Sequence, residues 1–450
     1  MKSNTMLNAP DQVGLMRLAR LAPRPTRVQD TGLTRTFLSD LVAKHLLEKG
    51  TLSLGELSQS LMLAGSVVES VLDFMRTEAR IEVRPASTDR LGLNYGLTDR
   101  GRASALDAMH RSGYVGPAPV PLKHFAQVVR AQTVHNRQVS RDDMQRAFQD
   151  VVLEEDLLDR LGASLNSGRA IFLYGHAGTG KTYISQRLTR LFPDLVLVPY
   201  AIAIDDQVVQ MFDPLIHSRV EIADDDSHKL DKGHDPRFLI CERPAAITGG
   251  ELTGDMLEIR YDPSTRLYEA PLQLKASNGV FIIDDMGRQK IEPTELFNRW
   301  IVPLEEKKDF LTLASGRHFS VPFDVILIFS TNIHPLDLAD EAFLRRIGYK
   351  IEFRPLSAED YERIWQDTCI ASEVDYEPEV LDYVINELHS KNNVPLLPCH
   401  PRDLITMAVD RALYHEKSRA IDVHHMRWAW ENYFVSLDSD STTGTHRMLG

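Results

Sequence analysis

Apolar residues recur at helical spacing from about Thr34 onward. TRTFLSDLVAKHLLEKG sets Phe37, Leu38, Leu41, Val42, His45 and Leu46 on one helical face, and Gly50 ends the run. LSLGELSQSLMLAG predicts a shorter helix, and SVVESVLDFMRTEARI a third, with Val67, Val68, Val71, Leu72 and Met75 at helical spacing. A strand-like IEVRP, a turn-rich STDRLGLN, a second strand in YGLT and a helix from Asp99 follow. Residues 1–33 are expected to form a flexible segment and residues 34–112 one small domain. Residues 113–123, GYVGPAPVPLK, carry three prolines and two glycines and predict an extended connection. Helical spacing returns over 124–165. Five short apolar runs, at 170–174, 195–198, 280–283, 325–330 and 349–353, then alternate with helical stretches. This pattern predicts a five-stranded parallel sheet in an α/β core over 124–355, with any ligand at the carboxyl ends of the strands. Residues 356–437 read as helical, and the polar residues 438–450 as a disordered tail.

Composition narrows the class. The chain has 450 residues, enough for roughly two or three domains, and 43% of them are hydrophobic. It contains no apolar run of about 18 residues, and MKSNTMLNAPDQVG lacks the features of a secretory leader, so a cytoplasmic protein without membrane insertion is expected. Cys241, Cys369 and Cys399 are far apart, which suggests buried thiols rather than a disulfide framework or a zinc site. The net charge of -13 argues against a general polyanion-binding surface. The charge is uneven: residues 1–135 carry a net +5 and the remainder -18. EIADDDSHKLDKGHDP, residues 221–236, has His228 and His234 among its acids at irregular spacing, and reads as a solvated loop rather than a metal site.

Candidate chemistry begins at AIFLYGHAGTGKT, Ala170 to Thr182, where an apolar strand runs into GxxxxGKT and then a helix. In this pattern Gly175, His176, Ala177, Gly178, Thr179 and Gly180 wrap their N–H groups around a phosphate at a helix N-terminus. Lys181 supplies positive charge to the β- and γ-phosphates, and the Thr182 hydroxyl faces Mg²⁺. The implied ligands are ATP and Mg²⁺. Downstream, ASNGVFIIDDMGR ends a buried strand in two carboxylates: Asp284 is placed to hold Mg²⁺, usually through water, and Asp285 to orient an attacking water. VPFDVILIFSTNIHP ends another strand at Asn332, which can hydrogen-bond that water or the γ-phosphate. DEAFLRRIGYKIEFRPL carries Arg346 and Arg345 at a short helix end, as charge-stabilising cations or as members of a structural ion pair. In LPCHPRDLITMAVDRALYH, Arg402 lies in a first helical turn, where the helix dipole disfavours a cation unless a phosphate faces it.

In this order the motifs resemble Walker A, Walker B, sensor 1, the arginine finger and sensor 2 of the AAA+ ATPases, over about Arg141 to Phe434. YEAPLQLKASNGVFIIDD and the hairpins turning at Asp262-Pro263 and Ser315-Gly316 are similar to the MoxR and magnesium-chelatase side of that family. The helix, ribbon and helix order of residues 34–112, with YGLTDRGR, resembles a winged helix. The resemblance implies a P-loop NTPase sheet with a helical C-terminal lid, ATP hydrolysis, and a hexameric ring or spiral of identical chains remodelling a protein client. Duplex DNA bound through residues 34–112, or a nucleotide-gated assembly switch, are the alternatives. The chain departs from the family at Asp285, where a glutamate is usual; the shorter side chain implies slow or assisted hydrolysis. No aromatic pore loop stands out, and Phe212 reads as core packing.

Overall fold

The computed structural model describes residues 12–85, 93–220, 234–416 and 419–434. Residues 221–233 of the acidic stretch and the tail from 438 therefore lie outside the described residues. Among the described residues no helix is long and apolar enough to cross a membrane.

The expected parallel sheet is present. β1 (Ile171–Gly175), β2 (Ala245–Thr248), β3 (Gly279–Ile283), β4 (Val325–Thr331) and β5 (Tyr349–Phe353) pair in the order β2-β3-β4-β1-β5, all parallel. Ile171, Leu173, Ile282 and Ile328 pack on one face with Leu161, Leu165 and Leu188, while Phe172, Phe281 and Phe329 pack on the other with Phe297 and Trp300. Burial of both faces is why these strands read as unbroken apolar runs rather than alternating ones. Each fully buried Ile, Leu or Phe contributes about 1.5–3 kcal/mol.

One strand assignment is corrected. The run at 195–198 lies in Leu195–Pro199, which pairs antiparallel with Phe238–Glu242 in a separate two-stranded sheet. The outer place beside β3 belongs to β2, a short edge strand with Ile247 half exposed. Both segments are short and apolar, so periodicity cannot rank them. The choice lies with Arg243, just before β2: its Nη1 donates to Asn278 O at 2.6 Å, seating the chain beside the start of β3.

The insertions gather into a second layered unit. Arg260–Asp262, Leu267–Glu269, Gln207–Gln210, Ala201–Ile204 and Val120–Pro121 form one mixed five-stranded sheet. The expected hairpins are Arg260–Asp262 with Leu267–Glu269, and Lys308–Thr312 with His318–Pro322. Their apolar sides share a core with helix Leu122–Ala131.

Toward the amino end, helices Arg35–Lys49, Leu54–Leu61 and Gly65–Thr77 precede Ile81–Pro85, Leu93–Leu97 and helix Asp99–Arg111. Leu52–Ser53 completes a three-stranded antiparallel sheet. Local chemistry sets the helix starts: Thr34 Oγ1 accepts from Phe37 N, Ser53 and Glu56 form a capping box, and Thr98 Oγ1 accepts from Gly101 N.

One expectation of looseness fails. Within the segment expected to be flexible, Gln12–Leu21 is a helix, and Leu18 and Ala22 are buried in the core of the inserted unit. Residues 113–123, expected as an extended connection, are clamped: Lys44 Nζ donates to Tyr114 O at 3.3 Å, and Ala118 N donates to Leu61 O at 2.9 Å. The fully buried pair Arg237–Asp235 joins both stretches, with Arg237 Nη1 donating to Thr31 O and Pro119 O at 3.0 and 3.1 Å. Prolines and polar residues read as a tether, but buried backbone carbonyls with a buried guanidinium among them make a joint.

The carboxyl-terminal region is helical as expected. It contains Ala358–Ala371, Pro378–Asp382, the wider turn Tyr383–His389, Cys399–Glu416 and Val423–Tyr433 around one apolar core.

Candidate functional site

The carboxyl ends of β1, β3 and β4 lie side by side, so the loops leaving them share one edge. After β1 the chain turns through Gly175 at φ 139°, where a Cβ would collide with the Phe353 carbonyl, and through Gly178 at φ 83°. A Cβ on Gly178 would stand 2.5 Å from Cys399 Sγ, so the helical lid closes directly onto this loop. Helix Lys181–Leu188 starts at Gly180 and points its free N–H groups back into the turn.

Lys181 is buried at the centre. Its Nζ donates to Gly175 O (2.9 Å), His176 O (2.8 Å), Thr179 Oγ1 (3.3 Å) and Asn332 Oδ1 (2.8 Å). Burial lowers its pKa, against the opposing pull of the Asp284 and Asp285 carboxylates. Thr182 Oγ1 donates to Asp284 Oδ2 at 2.7 Å, and Asn332 Nδ2 reaches Asp285 Oδ1 at 3.4 Å. Five of the residues singled out in sequence, from three separate strand ends, thus form two hydrogen-bonded groups side by side, Lys181–Asn332–Asp285 and Thr182–Asp284.

The cluster floors a cavity of about 770 Å³ between sheet and lid, within the range for small-molecule sites. Ala177 and the loop from Gly178 to Thr182 line one part, with Asp284, Asp285 and Asn332. Arg402 lines it from the lid, in the first turn of helix Cys399–Glu416, with Nε on Asp403 at 3.1 Å. Val151, Val152, Leu153 and Ile364 supply an apolar wall suited to a nucleobase.

A nucleoside triphosphate with Mg²⁺ fits these groups. The glycine turn and helix start present donors to phosphate, Lys181 is positioned at the same edge, and the Thr182 hydroxyl and Asp284 carboxylate stand together as hard oxygen ligands. Among the described residues no group of three or more His, Cys, Asp or Glu could hold a metal. Mg²⁺ does not need one, because it keeps waters and takes phosphate oxygens beside one or two protein groups.

Arg345 and Arg346 are not brought to this cavity. Arg346 Nε bonds Glu305 at 2.6 Å and its Nη1 donates to Ala342 O at 2.7 Å, while Arg345 stands 3.5 Å from Glu341 on the surface. Within one chain they form the structural ion pairs that were the alternative. His176 is not among the cavity-lining residues, although its carbonyl accepts from Lys181.

Sequence reasoning missed Asp150, Val151, Val152, Leu153, Arg288 and Cys399 as cavity residues. Only Arg288 carried a usable signal, three residues beyond Asp285 on the same turn. The Val151–Leu153 wall has no motif, since three apolar residues in a row mark no chemistry.

A family described as a domain of unknown function, DUF8689, matches residues 357–432, the helical lid. No curated protein matches the chain. Among solved structures it is similar to the RuvB Holliday junction branch migration motor of Thermotoga maritima at 13% identity, covering 64% of this chain and 73% of that one, with a TM-score of 0.36. A point mutant of the same RuvB matches at 12% identity, covering 63% and 71%, with a TM-score of 0.37. NtrX from Brucella abortus matches at 13% identity, covering 75% and 68%, with a TM-score of 0.40. At these scores the α/β assignment rests on the chain's own strand order and loop geometry.

Proposed function

We propose that this chain is a Mg²⁺-dependent AAA+ ATPase whose identical copies assemble into a hexameric ring or spiral and couple ATP hydrolysis to remodelling of a protein partner. The observation that carries the reading is the Lys181–Asn332–Asp285 and Thr182–Asp284 hydrogen-bonded cluster at the carboxyl edge of a β2-β3-β4-β1-β5 sheet. Loop N–H groups and Lys181 bind the β- and γ-phosphates, Thr182 and Asp284 hold the metal, and Asp285 orients water with Asn332. Asp285 sits at φ 48°, a left-handed conformation aspartate tolerates, on a turn that aims its short carboxylate at the cavity. Residues 124–355 serve as the ATPase core and 356–437 as the lid. Arg346, with Arg345 beside it, reaches a neighbouring copy's γ-phosphate once the ring forms.

Residues 34–112 are read as a winged helix that docks a protein. Its third helix, Gly65–Thr77, exposes Glu69 and Asp73 beside Arg76, a poor match to phosphate-lined duplex grooves. The start of that helix is also tied to the preceding segment, because Ser66 Oγ donates to Thr26 O at 2.9 Å. Exposed Arg100 and Arg102 favour the alternative of duplex DNA held through its backbone.

The test is steady-state ATP hydrolysis by the purified chain, with and without duplex DNA, beside Lys181→Ala. Turnover that the variant abolishes and DNA leaves unchanged is expected; DNA stimulation selects the alternative. A wild type that binds ATP tightly, with turnover equal to that of Lys181→Ala, replaces the motor with a nucleotide-gated switch.

A further inference from the structure

The turn that follows β3 carries a second charged group besides the Asp284–Asp285 pair. Gln289 ties this turn to itself: its Nε2 donates to Asp284 O at 2.8 Å and Asp285 O at 3.1 Å, and its Oε1 accepts from Gly287 N at 2.7 Å. The end of β4 holds it from the other side, with Met286 N donating to Ser330 O and Thr331 Oγ1 donating to Met286 O. Arg288 N donates to Asp285 O at 3.1 Å, which fixes the arginine relative to the acid.

The Arg288 side chain lines the same cavity as Lys181, Asp285 and Asn332. Among the described residues its guanidinium has no ion pair or hydrogen bond, whereas Arg402, Arg345 and Arg346 are paired with Asp403, Glu341 and Glu305. An uncommitted guanidinium on a pinned turn beside a phosphate-binding loop suits a planar, multi-donor contact with phosphoryl oxygens. Lys181 cannot supply all of the charge, because two carboxylates stand close to it.

We infer that Arg288 contacts the terminal phosphate of a nucleoside triphosphate in this chain's own cavity, supplying in cis positive charge that the same chain's Arg345 and Arg346 do not bring to it. The inference rests on the nucleotide-binding reading above. In hydrolysis the water oxygen bonds to the γ-phosphorus as the bond to the β–γ bridging oxygen breaks. ADP leaves with that electron pair, and the water's proton passes to the Asp285 carboxylate. Arg288 transfers no proton; it stabilises charge on the γ-phosphoryl oxygens.

The experiment measures turnover, and the affinities for ADP and for a non-hydrolysable ATP analogue with Mg²⁺, on the full chain and on Arg288→Gln, Arg288→Lys and Lys181→Ala. Arg288→Gln is expected to lower turnover about 10²-fold, to weaken the analogue and to leave ADP binding unchanged. Arg288→Lys recovers part of the rate. A merely structural role would move ADP and analogue together, and that result overturns the inference. So does an Arg288→Gln variant turning over at the wild-type rate while Lys181→Ala is silent, an outcome that leaves the nucleotide reading intact. A wild type that binds neither nucleotide removes both.

Discussion

The two ends of the parallel sheet are built to opposite rules. At the carboxyl end, Asp285 and Arg288 are exposed in a large cavity, and Lys181 bonds to carbonyls of its own loop. At the amino end Gln132, Asn278 and Asp324 are buried and hydrogen-bonded across distant segments. Gln132 Nε2 donates to Asn278 Oδ1 and Leu197 O, Asn278 Nδ2 donates to Val129 O, and Asp324 Oδ1 accepts from Val134 N. Arg243 adds Asp194, Gln132 O and Asn278 O. The polar groups of one edge line a cavity, while those of the other join the inserted unit to the core. Chemistry and rigidity are thus segregated to opposite ends of the same strands.

Substitutions sharpen this contrast, beginning with the largest effect. Lys181→Ala should cut turnover by about 10²-fold or more while the unfolding midpoint changes little, as steady-state assay and urea denaturation would show. At the other edge Asn278→Ala should do the reverse. It removes the acceptor of one Gln132 N–H and the donor to the Val129 carbonyl and places alanine at φ 65°, for a loss of about 2–4 kcal/mol in urea denaturation with ADP affinity retained. If Asn278→Ala instead weakened ADP binding at unchanged stability, the segregation would be wrong.

Acid should act through the lid. Burial, with His389 alongside, pushes His400 down to about 4, and burial lowers His389 as well. Below pH 6.5 the unfolded chain binds protons that the folded lid refuses. Stability is therefore complete above about 6.5 and falls as pH drops toward 4. Melting curves at stepped pH should show this slope, and His400→Phe should flatten it. The smallest effect belongs to the exposed Arg345–Glu341 pair: Arg345→Ala should shift stability by no more than about 0.5 kcal/mol in the same denaturation assay.

Local chemistry was legible wherever it follows chain order. Thr34, Ser53 and Thr98 start their helices because a hydroxyl oxygen can reach an N–H three residues on, and the glycine-rich turn after β1 is written in one unbroken stretch. Asn278 and Arg243 were not legible in their roles, since an Asn before a glycine and an Arg before a proline look like turn residues until their partners more than 30 residues away are known. Leu195–Pro199 and β2 were interchangeable to periodicity for the same reason: two short apolar runs differ only in what lies beside them.

By itself the sequence determined the glycine-rich loop after β1, the two strand ends carrying Asp284 and Asn332, the hairpins and the helical regions, because each depends on spacing within a few residues. Only the tertiary structure decided which apolar run joined the sheet, that residues 12–22 are packed rather than flexible, that residues 113–123 are held by distant hydrogen bonds, and that Arg288 enters the cavity while Arg345 and Arg346 do not. Those outcomes depend on burial and on hydrogen bonds between distant segments, and a linear pattern carries no record of which distant carbonyl or carboxylate will be near.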